Sequence, residues 1–236
     1  MSKFSRRSTE EELMDDLDSS GEVIYQTLRE LEIINKLLGG NQVTLNGLTR
    51  LLQSLDTKPA RLKIVDLGCG GGDMLVRIAK WGKKNKVALE LVGVDANPHI
   101  VAYARENTRK YPGITYRAIN IFSDEFKQTE YDIVVSTLFT HHFCNDDLVE
   151  LFRHCRAQAR LGMVINDIHR HWFAYYSIKW LTRLFSKSEM VKNDAAVSVL
   201  RSFKRAELEE IIGRSGYHDF TLKWQWAFRW QLVAKH

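Results

Sequence analysis

The run Val65-Asp66-Leu67-Gly68-Cys69-Gly70-Gly71-Gly72-Asp73 sets an acid and alternating glycines directly behind an apolar stretch. A strand that ends in such a turn lets bare backbone approach a ligand, because no Cβ stands in the way. Counted from Gly68, the third glycine of the dinucleotide pattern G-x-G-x-x-G would fall on Asp73, and an acid beside the turn would repel a pyrophosphate. No Gly-Lys-Ser or Gly-Lys-Thr follows, which argues against a phosphate loop. Asp66, Gly68, Gly70 and Gly72 suit a ligand end that carries positive charge. Cys69 sits inside the turn, where a small side chain is wanted.

These residues resemble motif I of the class I S-adenosylmethionine (SAM) dependent methyltransferases. The cofactor implied is SAM, with S-adenosylhomocysteine (SAH) as product. Asp95 ends the next apolar run, ahead of Ala96, and a carboxylate there can accept both hydroxyls of a ribose. NAD would satisfy that geometry too, and an acid that only caps the following helix is the plain alternative. Asn120 ends a third strand where many methyltransferases place an aspartate on the adenine amino group. Its amide oxygen can still accept from that donor, and Ile121 would cover the ring. Thr137 and Leu138 end the fourth strand and complete the expected cofactor set.

That strand runs into Phe139-Thr140-His141-His142-Phe143-Cys144-Asn145-Asp146-Asp147. Open parallel sheets bind ligands outside the carboxyl ends of their strands, so substrate should meet the methyl group here. The segment resembles the strand-four region of quinone-biosynthesis methyltransferases. His141 also falls near the catalytic histidine of plant-type O-methyltransferases. Methyl transfer is an in-line displacement in which positioning supplies up to about 7–11 kcal/mol. A histidine base for an acidic hydroxyl adds about 10²–10⁴ in rate. His141 and His142 are the candidates, with His141 preferred; packing or capping the next helix is the competing reading.

The elements that must position these groups read as strands over 62–67, 89–95, 114–119, 131–137 and 161–167, alternating with helices. A closing pair at 220–226 and 229–234 matches the antiparallel last strands of class I methyltransferases. The expected fold is α/β and Rossmann-like: a mostly parallel seven-stranded sheet with an antiparallel C-terminal hairpin. Helices are expected over 9–17, 20–38 and 43–55, giving an N-terminal helical cap over 1–58 and a SAM-binding core over 59–236. Between strand five and the last helix lies an insertion, 168–203, dense in aromatics. As a lid it would stack rings on a flat substrate and exclude water. Core packing, or a basic amphipathic helix resting on a membrane surface, are its alternatives. Asp167, His169, Trp172, Tyr175 and Tyr176 are its candidate substrate contacts. No metal is expected, because Asp167, His169 and His171 lack a clear fourth partner.

The net charge is +5, but the basic residues are scattered among acids, so nucleic acid is permitted without being indicated. Cys69, Cys144 and Cys155 lack metal-ligand spacing, which fits a reducing cytoplasm. The N-terminus has no apolar stretch behind its charges, and no apolar run reaches the ~18 residues needed to span a bilayer. The pieces Arg6-Arg7-Ser8, Leu37-Leu38-Gly39-Gly40 and Asn166-Asp167-Ile168-His169-Arg170 resemble bacterial methyltransferases of polyketide or quinone-type pathways. The function implied is methylation of a small molecule, at a hydroxyl oxygen of a phenolic, polyketide-like or quinol substrate. A nucleic-acid methyltransferase and a non-catalytic SAM-binding scaffold are the alternatives. Against the first, Ser136-Thr137-Leu138-Phe139 replaces the Asn/Asp-Pro-Pro-aromatic of base-nitrogen enzymes, and no proline precedes a cysteine.

Overall fold

The structure is a computed structural model that describes residues 2–55 and 59–236. The strands are β1 (Arg61–Leu67), β2 (Ala88–Asp95), β3 (Ile114–Ala118), β4 (Tyr131–Thr137), β5 (Ala159–Ile168), β6 (Phe220–Gln225) and β7 (Arg229–Lys235). They form one sheet in the order β3-β2-β1-β4-β5-β7-β6. The first five are parallel, and β7 runs antiparallel to both β5 and β6. A right-handed crossover is needed between parallel strands, which explains the helix after each of β1, β2 and β4. The short 226–228 turn after β6 leaves room only for an antiparallel return.

Successive side chains on β1 point to opposite faces. Leu62 and Ile64 join a core with α2 (Gly40–Gln53) and α3 (Asp73–Asn85). Val65 and Leu67 join a second core with α6 (Asn145–Gln158) and α9 (Arg205–Arg214). Both faces are covered, so the strands read as near-continuous apolar runs. α2 buries Leu48, Leu51 and Leu52 in the sheet's own core, and Gly47 lies so close to β5 that a Cβ would meet Val164 at 2.4 Å. The dividing line expected after residue 58 falls on residues 56–58, outside the described residues.

α1 (Gly21–Leu37) lies across the carboxyl edge of the sheet. Its Ile24 and Leu28 pack against Ile100 of α4 (Pro98–Asn107) and Met190 of α8 (Glu189–Arg201). The insertion consists of α8 and the preceding α7 (Trp172–Phe185). The helix expected over 9–17 does not form. That stretch is extended apart from a single 3₁₀ turn, Leu13–Asp15. A helix that short is marginal in water, and its backbone finds better partners elsewhere. The Leu13 and Met14 N–H groups donate to the Asp194 carboxylate on α8 at 2.8 and 3.0 Å.

Candidate active site

One cavity of about 930 Å³ opens where β1, β2 and β4 end, walled by α1, α7, α8 and the 226–229 turn. This is the upper end of the range for small-molecule sites, roughly 300–1,000 Å³. Asp66, Gly68, Cys69, Gly70, Asp95, Ala96, Asn120, Ile121, Thr137 and Leu138 all line it, and Gly72 does not. The glycines of the turn meet different needs. At Gly68 (φ +65) a Cβ would strike the Phe139 ring at 2.1 Å, and at Gly72 (φ +77) the Tyr116 hydroxyl at 2.2 Å. Gly70 (φ +49) has only Leu28 near, at 3.5 Å, and is the place where backbone stands open to a ligand.

Around that turn gather carboxylates without enough cations. Asp66 is fully buried and its Oδ1 has no hydrogen-bond partner. Burial, then the charges of Asp73 and Asp95, push its pKa well above the ordinary carboxylate value. Burial and the charge of Glu32 raise Asp73 to about 6, against a weaker pull from Arg77. Asp95 is raised by burial too, although it accepts N–H groups from Gly70 at 3.3 Å and Asn97 at 3.1 Å. A ligand bearing an ammonium beside Asp66 and Asp73 would relieve this crowding, whereas a pyrophosphate would worsen it. Each Asp95 oxygen keeps a lone pair for a ribose hydroxyl. The donor set therefore fits SAM. Asn120 is exposed, and its Oδ1 already accepts the Phe122 N–H at 2.9 Å. Phe122 lines the cavity beside Ile121.

Past β4, Leu138 adopts φ 57, the left-handed region that a branched side chain disfavours, and donates its N–H to Asn166 at 2.8 Å. This bend delivers His141 and His142 to the cavity wall. His141 is buried, with Nδ1 2.7 Å from Asp167 Oδ1. Asp167 also accepts the Thr140 hydroxyl (2.6 Å) and the N–H groups of His141 (3.1 Å) and Ile168 (2.7 Å). On the other edge of the ring, Nε2 faces Glu12 Oε1 at 3.5 Å. Burial alone would lower the His141 pKa, but the Asp167 and Glu12 carboxylates outweigh it and raise it to about 9. Asp167 is held far below its ordinary range by the same pairing. His142 Nδ1 lies 2.5 Å from Asp15, which also pairs with Arg201.

From the N-terminal cap, Arg7 and Glu12 reach the site although neither stands among the candidates that the sequence offers. Arg7 donates to the carbonyls of Arg201 (2.6 Å) and His141 (2.9 Å) and to Asn145 (2.7 Å). Glu12 Oε2 accepts the Ser198 hydroxyl at 2.7 Å. Glu12, His141 and His142 each offer a potential metal-ligand atom, all within 4.8 Å of one another. Arg201, 3.8 Å from Glu12, already supplies positive charge there. Nothing in the sequence near residue 12 marks it, because its partner lies more than a hundred residues away; only the excess of acids over 10–18 hints at a cationic neighbour.

None of the five candidate substrate contacts lines the cavity. Asp167 lies beneath His141. His169, lowered to about 4 by burial and the charge of His171, accepts from Trp224 Nε1 at 3.2 Å. Tyr175 is buried beneath Lys3, whose Nζ stands 3.5 Å from the ring centroid, and Trp172 and Tyr176 are exposed. From α7 the wall takes Phe173, Ser177, Ile178, Trp180 and Leu181 instead. Helical rotation explains the exchange, since the aromatics alternate between two faces of α7 that composition alone does not distinguish.

Residues 64–162 match a family model described as a methyltransferase domain. Among curated proteins nothing matches the chain. Many solved structures share its fold, three of them as follows. The plantazolicin methyltransferase BpumL in complex with SAH aligns at 19% identity over 84% of this chain and 72% of that one, TM-score 0.62. Human N-acetylserotonin methyltransferase in complex with SAM aligns at 16% over 97% and 59%, TM-score 0.64. The citrinin polyketide synthase CMeT domain aligns at 17% over 79% and 49%, TM-score 0.58. The chain thus spans about half the length of the last and three-fifths of the human enzyme. The matched segment runs from β1 into β5 and holds the glycine turn, so this part of the chain is similar to a methyltransferase domain, and the sheet order agrees with that likeness.

Proposed function

We propose that this enzyme methylates a hydroxyl oxygen of a small, flat molecule of phenolic, polyketide-like or quinol type, with His141 as the base. The observation that carries this reading is the Asp167–His141 pair at the end of β4, set in the wall of the cavity that begins at Gly70 and Asp95. Leu28, Phe139, Phe173, Ile178 and Trp180 make the walls largely apolar, as a ring-sized substrate needs and a basic channel for a polymer would not be. The names of the plantazolicin and N-acetylserotonin enzymes favour a small molecule as well.

Bound SAM supplies a methyl group on positively charged sulfur, open to displacement by oxygen. Asp95 would hold its ribose, and Asp66 with Asp73 its ammonium. Asp167 fixes the tautomer in which Nδ1 carries a proton, which leaves Nε2 as the atom that accepts one. Glu12 now stands before Nε2, so an incoming hydroxyl takes the place of that carboxylate. His141 is a strong base, but at neutral pH it is mostly occupied by a proton. Incubation with methyl-labelled SAM and a panel of phenols and quinols is expected to yield labelled small molecule. Label found only in RNA, DNA or protein of a cell extract would overturn the reading.

A further inference from the structure

α7 has two roles that conflict in a protein surrounded by water. It walls the cavity, and it also shows solvent a face rich in large apolar side chains. Trp180 is 65% exposed and Phe185 74%, with Trp172, Phe173, Tyr176 and Leu184 also on the outside. The β6–β7 turn extends this face, with Trp226 72% exposed. The rings are contiguous: Trp172 lies 5.6 Å from Phe173, Phe173 5.8 Å from Phe228, and Phe228 6.1 Å from Trp224. An apolar surface of this extent on a monomer marks a contact site.

The chemistry of the patch selects its partner. Neither α7 nor the β6–β7 hairpin carries an acidic residue, and Lys179 and Arg183 stand exposed on α7 at helical spacing from Tyr176 and Trp180. Tryptophan and tyrosine interleaved with lysine and arginine is the composition that settles at the boundary between headgroups and acyl chains. Anionic headgroups would add attraction to those cations. Phe173, Trp180, Trp226 and Phe228 belong at once to the patch and to the cavity lining, so the cavity mouth opens within the patch. No helix of the described residues is long and apolar enough to cross a membrane, so this is a surface contact.

We infer that α7 and the β6–β7 turn dock the enzyme on an anionic lipid surface, and that its substrate is an amphiphile with a hydrocarbon tail entering the cavity from that surface. The substrate class rests on the function proposed above; the docking does not. Met14, Leu17, Leu31 and Leu38 add further apolar wall for a tail.

The test is flotation of the full chain, without cofactor or substrate, with vesicles of phosphatidylglycerol and phosphatidylcholine or of phosphatidylcholine alone. The protein should float with the anionic vesicles and far less with the neutral ones. Trp172→Ser with Leu184→Ser, and separately Lys179→Glu with Arg183→Glu, should each weaken partitioning about tenfold or more. All four residues are exposed, and unchanged circular-dichroism melts would show that the variants fold. Absence from anionic vesicles, equal partitioning of the variants, or a dimer whose mass falls to one chain in the Trp172/Leu184 variant would each overturn the docking. Faster turnover of long-chain than of short-chain alkylphenols on vesicles would support the substrate class. The reverse order would overturn it while leaving the docking intact.

Discussion

At the scale of single residues, the site is defined by where charge lacks a counterpart. Asp66 is a buried carboxylate with an orphan oxygen, so Asp66→Asn should raise the melting temperature of the free protein while weakening SAM binding about tenfold or more. Calorimetric melting and titration of the same variant would show both. SAM affinity should also fall as pH drops through about 6, where Asp73 takes up a proton and stops attracting an ammonium. For His141 the sign is opposite. Its pKa is raised above the unfolded value, so the stability it contributes is fully present below about 6.5 and lost as pH rises through about 9. The stake is on the order of 3 kcal/mol, read as a fall in urea midpoint across that interval. The same proton must leave before His141 can act as base. Turnover should therefore climb with pH toward about 9, and His141→Ala should remove that climb and about 10²–10⁴ of the rate while sparing SAH affinity.

At the scale of elements, α2 and the N-terminal segment differ in what they support. Leu48→Ala should cost about 2–5 kcal/mol, because that side chain is fully buried against the sheet. Val23→Ala, on the exposed side of α1, should stay within about 0.5 kcal/mol. Removing residues 1–19 should leave the sheet folded, whereas removing 1–53 should not, and limited proteolysis with circular dichroism reads the difference. The strands were legible in sequence because buried parallel strands advertise themselves as apolar runs closed by Asp66, Asp95 and Thr137. The stretch 9–17 has helical spacing but forms no helix, because its partner, the Asp194 carboxylate, comes from the far end of the chain. The aromatic insertion was legible as an element, but not in which of its rings face inward. Phe173 and Trp180 line the cavity and Tyr175 does not, a difference set by how α7 rotates on α8.

For the whole molecule, a seven-stranded sheet carries at its carboxyl edge a cavity whose two ends differ in chemical character. Carboxylates short of cations gather at the glycine turn, and a histidine paired with Asp167 stands past β4. That division explains why the glycine motif could be read from the sequence alone while the floor and roof of the substrate end could not. The first is local in the chain, and the second is assembled from residue 12, α1, α7, α8 and the last hairpin. The most direct test of the account is calorimetric titration of the intact chain with SAH, compared with Asp95→Ala and with NAD as a control ligand. One site of micromolar affinity, weakened at least tenfold in Asp95→Ala and absent for NAD, is the predicted result. Binding of NAD in place of SAH, or SAH affinity indifferent to Asp95, would contradict it.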